Sequence, residues 1–231
     1  QQKDDLVEHV RQIPAQIRKV AEAHRAYRRE LASLAGKDIR IAMDEWNYWY
    51  GPNEFGELGV RYFLQDALGI AAGLHEFFRS SDLYYMANYA QTVNVIGAIK
   101  TTKTAAEFET TGLVLKLYRR HFGVLPVEVA GAPEPLDISA AWSEDKSVVT
   151  VGIVNPTPHR HELDLKLRGA AWTGAAGRHW LITGSHRWAH NTPGKPRQVD
   201  IAERAVWPPR VEVPPLSVNL VAFAASEEGS K

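Results

Sequence analysis

The stretch Ile39-Arg40-Ile41-Ala42-Met43-Asp44-Glu45-Trp46-Asn47-Tyr48-Trp49-Tyr50 decides the fold. Its first five residues are a short β-prone run, and the rest is acidic and aromatic. It reads as a strand that ends in a loop. Helix precedes it. Ile13, Ile17, Val20, His24, Tyr27, Leu31 and Leu34 alternate in spacings of four and three, which places them on one helical face. Pro14 suits the first turn of that helix and Gly36 its C-terminal cap. His24 reads as a buried structural histidine on the stripe. Helix returns at about Leu58–Phe78, with Phe63, Ala67, Ile70, Leu74 and Phe77 on one face. Leu83–Ala90 reads as a second buried strand, ending in Gln91-Thr92-Val93-Asn94, and a third helix covers Thr110–Phe122.

Residues 1–123 therefore read helix, strand, helix, strand, helix. Strands alternating with helices imply parallel βα units. Two strands make no stable open parallel sheet, which needs both faces covered. A closed (β/α)₈ barrel needs about 250 residues. The segment is either the tail of a barrel or the edge of a larger sheet.

Composition changes after Gly123. Pro126, Pro133 and Pro135 mark a linker-like entry into residues 124–231. Val148–Val154 runs into a turn at Asn155-Pro156-Thr157-Pro158. Glu162–Arg168 alternates polar and apolar residues, as a half-buried strand in a hairpin does. Trp180–Thr183 and Ser217–Phe223 are further strands. Short strands between Pro and Gly clusters point to a β-sandwich.

The chain has 231 residues, with 27 Lys and Arg against 27 Asp and Glu. A zero net charge lacks the basic footprint of a nucleic-acid binder. The absence of cysteine excludes disulfides, thiolate metal sites and cysteine nucleophiles. No window reaches the roughly 18–20 apolar residues of a membrane-spanning helix. The first residues have no signal-type apolar core and no initiator Met. A piece of a longer protein and a trimmed chain both fit that beginning.

Asp44 and Glu45 sit where a parallel strand ends, which is where barrels place their catalytic groups. Aromatic faces suit sugar rings, and paired carboxyls drive glycoside hydrolysis. Adjacent strand residues point to opposite faces. One of the two is then expected in the site and the other behind it, held by hydrogen bonds. An exposed loop after a strand accounts for both carboxylates equally well. Gln91 and Asn94 offer amides to sugar hydroxyls, although such amides are often structural. His159, His161, His179, His186 and His190 lie in the β-rich half without the converging spacing of a metal site. Neither a phosphate-cradling glycine loop nor a Gly-x-Ser-x-Gly elbow is present. Lys195, Arg197 and Arg204 with Trp207 read as solvated surface.

Ile41–Tyr50 resembles the nucleophile strand of the α-L-arabinofuranosidases of glycoside hydrolase family 51. The resemblance continues through Ala90–Ile96, Val154-Asn155, His190–Pro196 and Val213–Ser217, in the family's order. It implies the C-terminal portion of a (β/α)₈ barrel over residues 1–123, holding strands seven and eight, then a β-sandwich over 124–231. It implies a retaining mechanism with Glu45 as nucleophile, Trp49 in the sugar pocket wall, Gln91 as a hydrogen-bonding partner of the furanose, and Asp44 as a structural neighbour. The substrates implied are arabinan and arabinoxylan oligosaccharides bearing terminal α-L-arabinofuranosyl residues. No metal and no organic cofactor is needed. The family implies a cytoplasmic homo-oligomer that binds neither nucleic acid nor membrane.

This chain departs from the pattern: it is expected to begin in the helix before strand seven, without strands one to six and without the N-terminal strand that such proteins add to the sandwich. Family members carry the acid/base glutamate in an Asn-Glu pair on strand four, and nothing upstream of Glu45 matches it. The only Asn-Glu pair is Asn53-Glu54, downstream. A chain without its acid/base is expected to be nearly inactive alone. Other expectations fit the same residues: a barrel xylosidase or endoglucanase, a noncatalytic carbohydrate-binding or assembly module, or a plain structural sandwich with a helical cap.

Overall fold

The computed structural model describes residues 2–50 and 59–227. Helix α1 spans Leu6–Glu30 and starts where the Asp5 side chain accepts the Glu8 amide at 2.7 Å. Pro14 therefore lies inside the helix rather than in its first turn. It leaves the Val10 carbonyl without its usual intrahelical donor. The helix also ends earlier than the apolar stripe suggests. Leu31 is already extended, a 3-10 turn follows at Ala32–Leu34, and Gly36 adopts φ 72° in the turn beyond it. Val10, Ile17 and Ala21 are buried, whereas Tyr27 and Leu31 are exposed. His24 is only half-buried, with a ring nitrogen 2.8 Å from the Ile39 carbonyl.

Strand β1 (Ile41–Trp46) pairs in parallel with β2 (Tyr84–Tyr89). Between them lies α2 (Leu64–Arg79). The helix starts later than expected: Phe63 is its N-cap rather than a core-facing helical residue, and its amide donates to the Asp66 carboxylate at 2.7 Å. Leu58 lies outside the described residues. Two short strands, β3 (Ile99–Thr101) and β4 (Ala106–Phe108), form a hairpin before α3 (Thr110–His121).

The second half builds a seven-stranded antiparallel sheet. It contains β5 (Leu125–Val127), β6 (Asp137–Trp142), β7 (Val148–Asn155), β10 (Gly177–Ile182), β11 (Ile201–Val206) and β13 (Ser217–Glu227) in the order β11-β10-β13-β7-β6-β5, with β9 (Ala170–Trp172) on the end of β13. A two-stranded sheet of β8 (His161–Asp164) and β12 (Arg210–Val213) faces it. The expected hairpin between β7 and the following run does not form. β7 pairs with β6 and β13, and β8 finds its partner in β12. The reason is that β7 is buried on both faces of the large sheet, whereas alternating β8 suits a cover strand.

Alternation along β13 divides two cores. Val221, Phe223 and Ala225 pack into the sandwich with Val149, Val151, Ile153, Val211 and Val213. Val218 and Leu220 face the other way and join the core of α1, α2, α3 and the β1–β2 pair. That core is continuous from Val10 to Ile182, so sandwich and helices form one packed body. Each large side chain fully buried there, such as Leu64, Leu68 or Leu117, contributes about 1.5–3 kcal/mol relative to exposure.

A buried polar chain crosses the same boundary. His75 contacts Asp137 at 2.6 Å and the Tyr118 hydroxyl at 2.6 Å. Arg79 bridges Asp137 and Glu76, and Arg18 joins Glu76. Gly152 lies against this cluster, where a Cβ would stand 2.5 Å from His75 Nε2. Burial lowers the His75 imidazole below its usual range, so Nδ1–H donates to Asp137 and Nε2 accepts from Tyr118. Burial opposes ionisation of Asp137, but His75 and Arg79 outweigh it and hold the carboxyl at about 2.

Candidate active site

The pairing of β1 with β2 contains two irregularities that cancel. Ile41 faces Tyr84 but Ala42 faces Met86, so β2 carries one extra residue at Tyr85. Met43 faces Ala87 and Trp46 faces Tyr89, so β1 carries one extra residue in turn. Asp44 and Glu45 thus share a single opposite position, Asn88. Such a bulge breaks strict alternation. Ile41, Met43 and Trp46 pack on the helices, and both carboxylates are exposed. This corrects the expectation that the pair splits across two faces. Asp44 makes no side-chain hydrogen bond or ion pair among the described residues, so it is not held from behind.

The loop after β1 is anchored residue by residue. Trp46 packs edge-on against Phe77 and Tyr89. The Asn47 amide donates to the Ala90 carbonyl at 2.8 Å, the Ile96 carbonyl at 2.9 Å and the Tyr62 hydroxyl at 2.7 Å. The Asn47 side-chain oxygen accepts the Tyr48 amide. Tyr48 is buried, stacks on His9 at 4.7 Å and donates its hydroxyl to the His9 carbonyl. Gly69 on α2 makes room for it: a Cβ there would stand 1.9 Å from the Tyr48 hydroxyl oxygen. Tyr50 donates to Asp66, which also contacts His9 Nε2 at 2.9 Å. Burial, with the Asp66 charge adding to it, pushes both Tyr48 and Tyr50 well above the usual phenol range and keeps them neutral. Trp49 is the exception in this anchored run, 69% exposed.

The loop after β2 lies beside it. The Ala90 amide donates to the Trp46 carbonyl at 3.2 Å, and the Ala90–Gln91 peptide bond is cis. Gln91 is exposed, and its amide donates to the Val93 carbonyl at 3.2 Å. Asn94 is not available to a ligand in the same way, because its side chain bonds Thr101. Glu45 and Gln91 thus stand at adjacent ends of parallel strands, on a surface where Tyr85 and Met86 are also exposed. Asn53 and Glu54 lie outside the described residues.

Residues that sequence reasoning missed support this surface. The Glu109 carboxylate accepts the Tyr62 amide at 2.9 Å, and Lys100 donates to the Val95 carbonyl at 2.8 Å. Both are buried. Their only sequence signal is an acid at a helix N-cap position. The histidines of the second half are dispersed. His179 sits between Asn219 and Arg204, and His190 contacts Arg61. Among the described residues no three potential ligands converge on a metal site. Arg197 pairs with Glu107 and Asp200, Arg204 contacts His179, and Trp207 is exposed. No helix among the described residues is long and apolar enough to cross a membrane.

Known proteins share this arrangement. The alpha-L-arabinofuranosidase C-terminal domain model matches residues 44–217. The probable alpha-L-arabinofuranosidase C of Aspergillus clavatus is 33% identical over 183 residues, covering 71% of this chain and 35% of that protein. An intracellular exo-alpha-(1->5)-L-arabinofuranosidase of Bacillus subtilis is 26% identical over 157 residues, covering 58% and 31%. This chain spans about a third of the length of these curated relatives. Its fold is that of the alpha-L-arabinofuranosidase from Thermotoga maritima, with a TM-score of 0.83 at 22% identity over 96% of this chain and 51% of that one. The GH51 arabinofuranosidase of Xanthomonas axonopodis pv. citri follows with a TM-score of 0.74 at 19% identity, covering 94% and 47%. With three quarters of its residues inside the matched region, the chain belongs to the alpha-L-arabinofuranosidase C-terminal domain family.

Proposed function

We propose that this chain carries the nucleophile half of a retaining α-L-arabinofuranosidase. Residues 1–123 are strands seven and eight of a (β/α)₈ barrel with their helices, and residues 124–231 are the trailing sandwich. The observation that carries the reading is the exposed Glu45 carboxylate at the C-terminal end of β1, one strand from Gln91, in a chain of this family.

A Glu45 oxygen attacks the anomeric carbon, and the bond to the leaving-group oxygen breaks with its electron pair. Water then attacks the same carbon, releases the sugar and returns Glu45 as carboxylate. Gln91 donates to a furanose hydroxyl, and the exposed Trp49 ring forms a wall of the pocket. The substrates are arabinan or arabinoxylan oligosaccharides with terminal arabinofuranosyl groups. The acid/base carboxyl comes from residues other than those matched here. General acid–base assistance is worth about 10²–10⁴-fold, so this chain alone turns over slowly. Tyr85, Met86 and the outer edges of β1 and β2 are the surfaces that further barrel strands cover. Unpaired edges of this kind also template association with other chains.

Intact-protein mass spectrometry after incubation with a dinitrophenyl α-L-arabinofuranoside tests the reading, because that leaving group departs without a proton. The expected result is a pentosyl adduct on Glu45 that accumulates and is absent from Glu45→Gln. An unlabelled chain that stays unlabelled when the remaining barrel strands are added back rejects it. Adducts of other glycosides in preference to the arabinofuranoside favour a barrel xylosidase or endoglucanase.

A further inference from the structure

We propose that the buried, hydrogen-bonded pair of His9 and Asp66 positions Trp49, the exposed ring of the segment after β1, through the two tyrosines that flank it. The link to sugar binding rests on the function proposed above; the positioning itself does not. His9 comes from the start of α1 and Asp66 from the first turn of α2, and both are fully buried. The Lys3 amide and the Gln12 side-chain amide face His9 Nδ1 at 3.4 and 3.3 Å. Nδ1 therefore accepts, and Nε2 bears the hydrogen that goes to the Asp66 carboxylate at 2.9 Å.

Both tyrosines close on this pair. Tyr48 lies flat against the His9 ring, with 7° between the planes, and donates its hydroxyl to the His9 carbonyl at 2.7 Å. Tyr50 donates to the same Asp66 oxygen that His9 contacts, and its own oxygen lies 3.1 Å from His9 Nε2. The two phenol rings are stacked on each other at 5.8 Å. Where alternate side chains of a non-helical segment share one side, the residue between them faces the other. Trp49 is that residue, exposed between two pinned neighbours. The second Asp66 oxygen accepts the Phe63 amide at 2.7 Å. One carboxylate thereby ties Tyr50 to Phe63, the N-cap of α2.

Apolar side chains would fill the same space without the desolvation of an imidazole, a carboxylate and two hydroxyls. What the polar set adds is direction, because a fully paired buried network holds each member at a fixed distance and angle. Direction is also what a flat ring needs if it is to meet the face of a ligand without first being ordered by it. The arrangement thus divides the work along three successive residues. Tyr48 and Tyr50 take the anchoring contacts with α1 and α2, and Trp49 is left with its ring outside and its backbone fixed at both ends.

The test is fluorine NMR on this chain labelled with fluorotryptophan, the Trp49 line being identified by its absence from Trp49→Phe. In the wild type that line is expected to be as broad as that of buried Trp46. Tyr50→Phe and His9→Ala narrow it by about a third or more, the step from a rigid to a flexible group. The lines of Trp46 and Trp180, both buried, stay as they are. His9→Gln keeps an amide donor for Asp66 and retains more of the width than His9→Ala. Tyr50→Phe removes one hydroxyl and keeps the ring, so it carries the test even where His9→Ala does not fold. In the dinitrophenyl arabinofuranoside assay, the glycoside concentration for half the limiting labelling rate rises about two- to tenfold, the scale of ordering one side chain. The limiting rate changes less. A Trp49 line unchanged in Tyr50→Phe and His9→Gln, or a narrowing shared by Trp46 and Trp180, overturns the proposal. A narrowed Trp49 line in a chain that forms no adduct even with the remaining barrel strands added back upholds the positioning and rejects the sugar chemistry.

Discussion

The Asn47 side-chain amide lies 2.8 Å from the Ala90 carbonyl, so the residue two beyond Glu45 grips the peptide unit immediately before Gln91. One side chain thereby sets the relation between the two strand ends of the site. Asn47→Ala removes donors from two carbonyls and from the Tyr62 hydroxyl. A loss of about 1–3 kcal/mol in urea unfolding is expected, the cost of leaving buried partners unsatisfied. Asn47→Asp is expected to cost at least as much, since a carboxylate there faces carbonyl oxygens. Both variants slow labelling of Glu45.

Glu45→Gln separates function from stability in the opposite sense. Glu45 is exposed, makes no side-chain hydrogen bond among the described residues, and sits beside the like-charged Asp44. Unfolding free energy is expected to move by no more than about 0.5 kcal/mol, as for surface changes away from special features. The pentosyl adduct disappears altogether.

Acidification from pH 7 is expected to remove the stability that His75 contributes, while Glu109, raised to about 7 by burial, works in the opposite direction down to its ordinary 4.5. The native state keeps His75 neutral by burial, while the unfolded chain takes up a proton near 6.5. The stability that His75 holds above 6.5 is thus lost as pH falls toward its lowered native value. His179, also lowered mainly by burial, acts in the same direction. Asp137 adds a second step. Its carboxyl is held at about 2, so about 2 kcal/mol present above its ordinary 3.8 is lost between there and pH 2. Urea unfolding at pH 7, 5 and 3 follows both steps. A folded His75→Gln variant shows a flatter slope between pH 7 and 5.

Gly69→Ala tests the seat of Tyr48. The added methyl meets a phenol that is buried, stacked on His9 and hydrogen-bonded to its carbonyl. Overpacking of this kind costs about 1–3 kcal/mol, and thermal unfolding measures it. Tyr48→Phe in the same chain gives up the hydroxyl that collides, so the double variant is milder than the sum of the two.

Much of this molecule is legible in the order of its residues. β1, β2, α3, β7, β10 and β13 each carry a local pattern, and each forms close to where its pattern stands. The acidic and aromatic segment is likewise legible as a strand end, and it stands where β1 ends beside the end of β2. What escapes is non-local. β8 pairs with β12, which is separated from it by β9, β10 and β11. No turn chemistry announces that partner. α1 leaves its own apolar stripe after Glu30, and Tyr27 and Leu31 stay exposed among the described residues. The bulge at Asp44 and Glu45 depends on the register of β2, and alternation alone misses it. His9 and Asp66, or Lys100 and Glu109, look like ordinary polar residues until the fold removes water from both.

The paired bulges of β1 and β2 make the two strands equal in length while each is locally out of step. Four residues lie between Ile41 and Trp46, and four between their partners Tyr84 and Tyr89. An insertion in one strand is therefore tolerated only with its counterpart in the other. Deleting Tyr85 alone leaves Trp46 one position out of phase with Tyr89 and turns one of them out of the core. Deleting Asp44 together with Tyr85 restores a regular ladder and a sound core, but leaves Glu45 as the one carboxylate on the exposed side. The surface that displays both carboxylates is in this sense a property of two compensating miscounts, separable from the stability of the sheet that carries it.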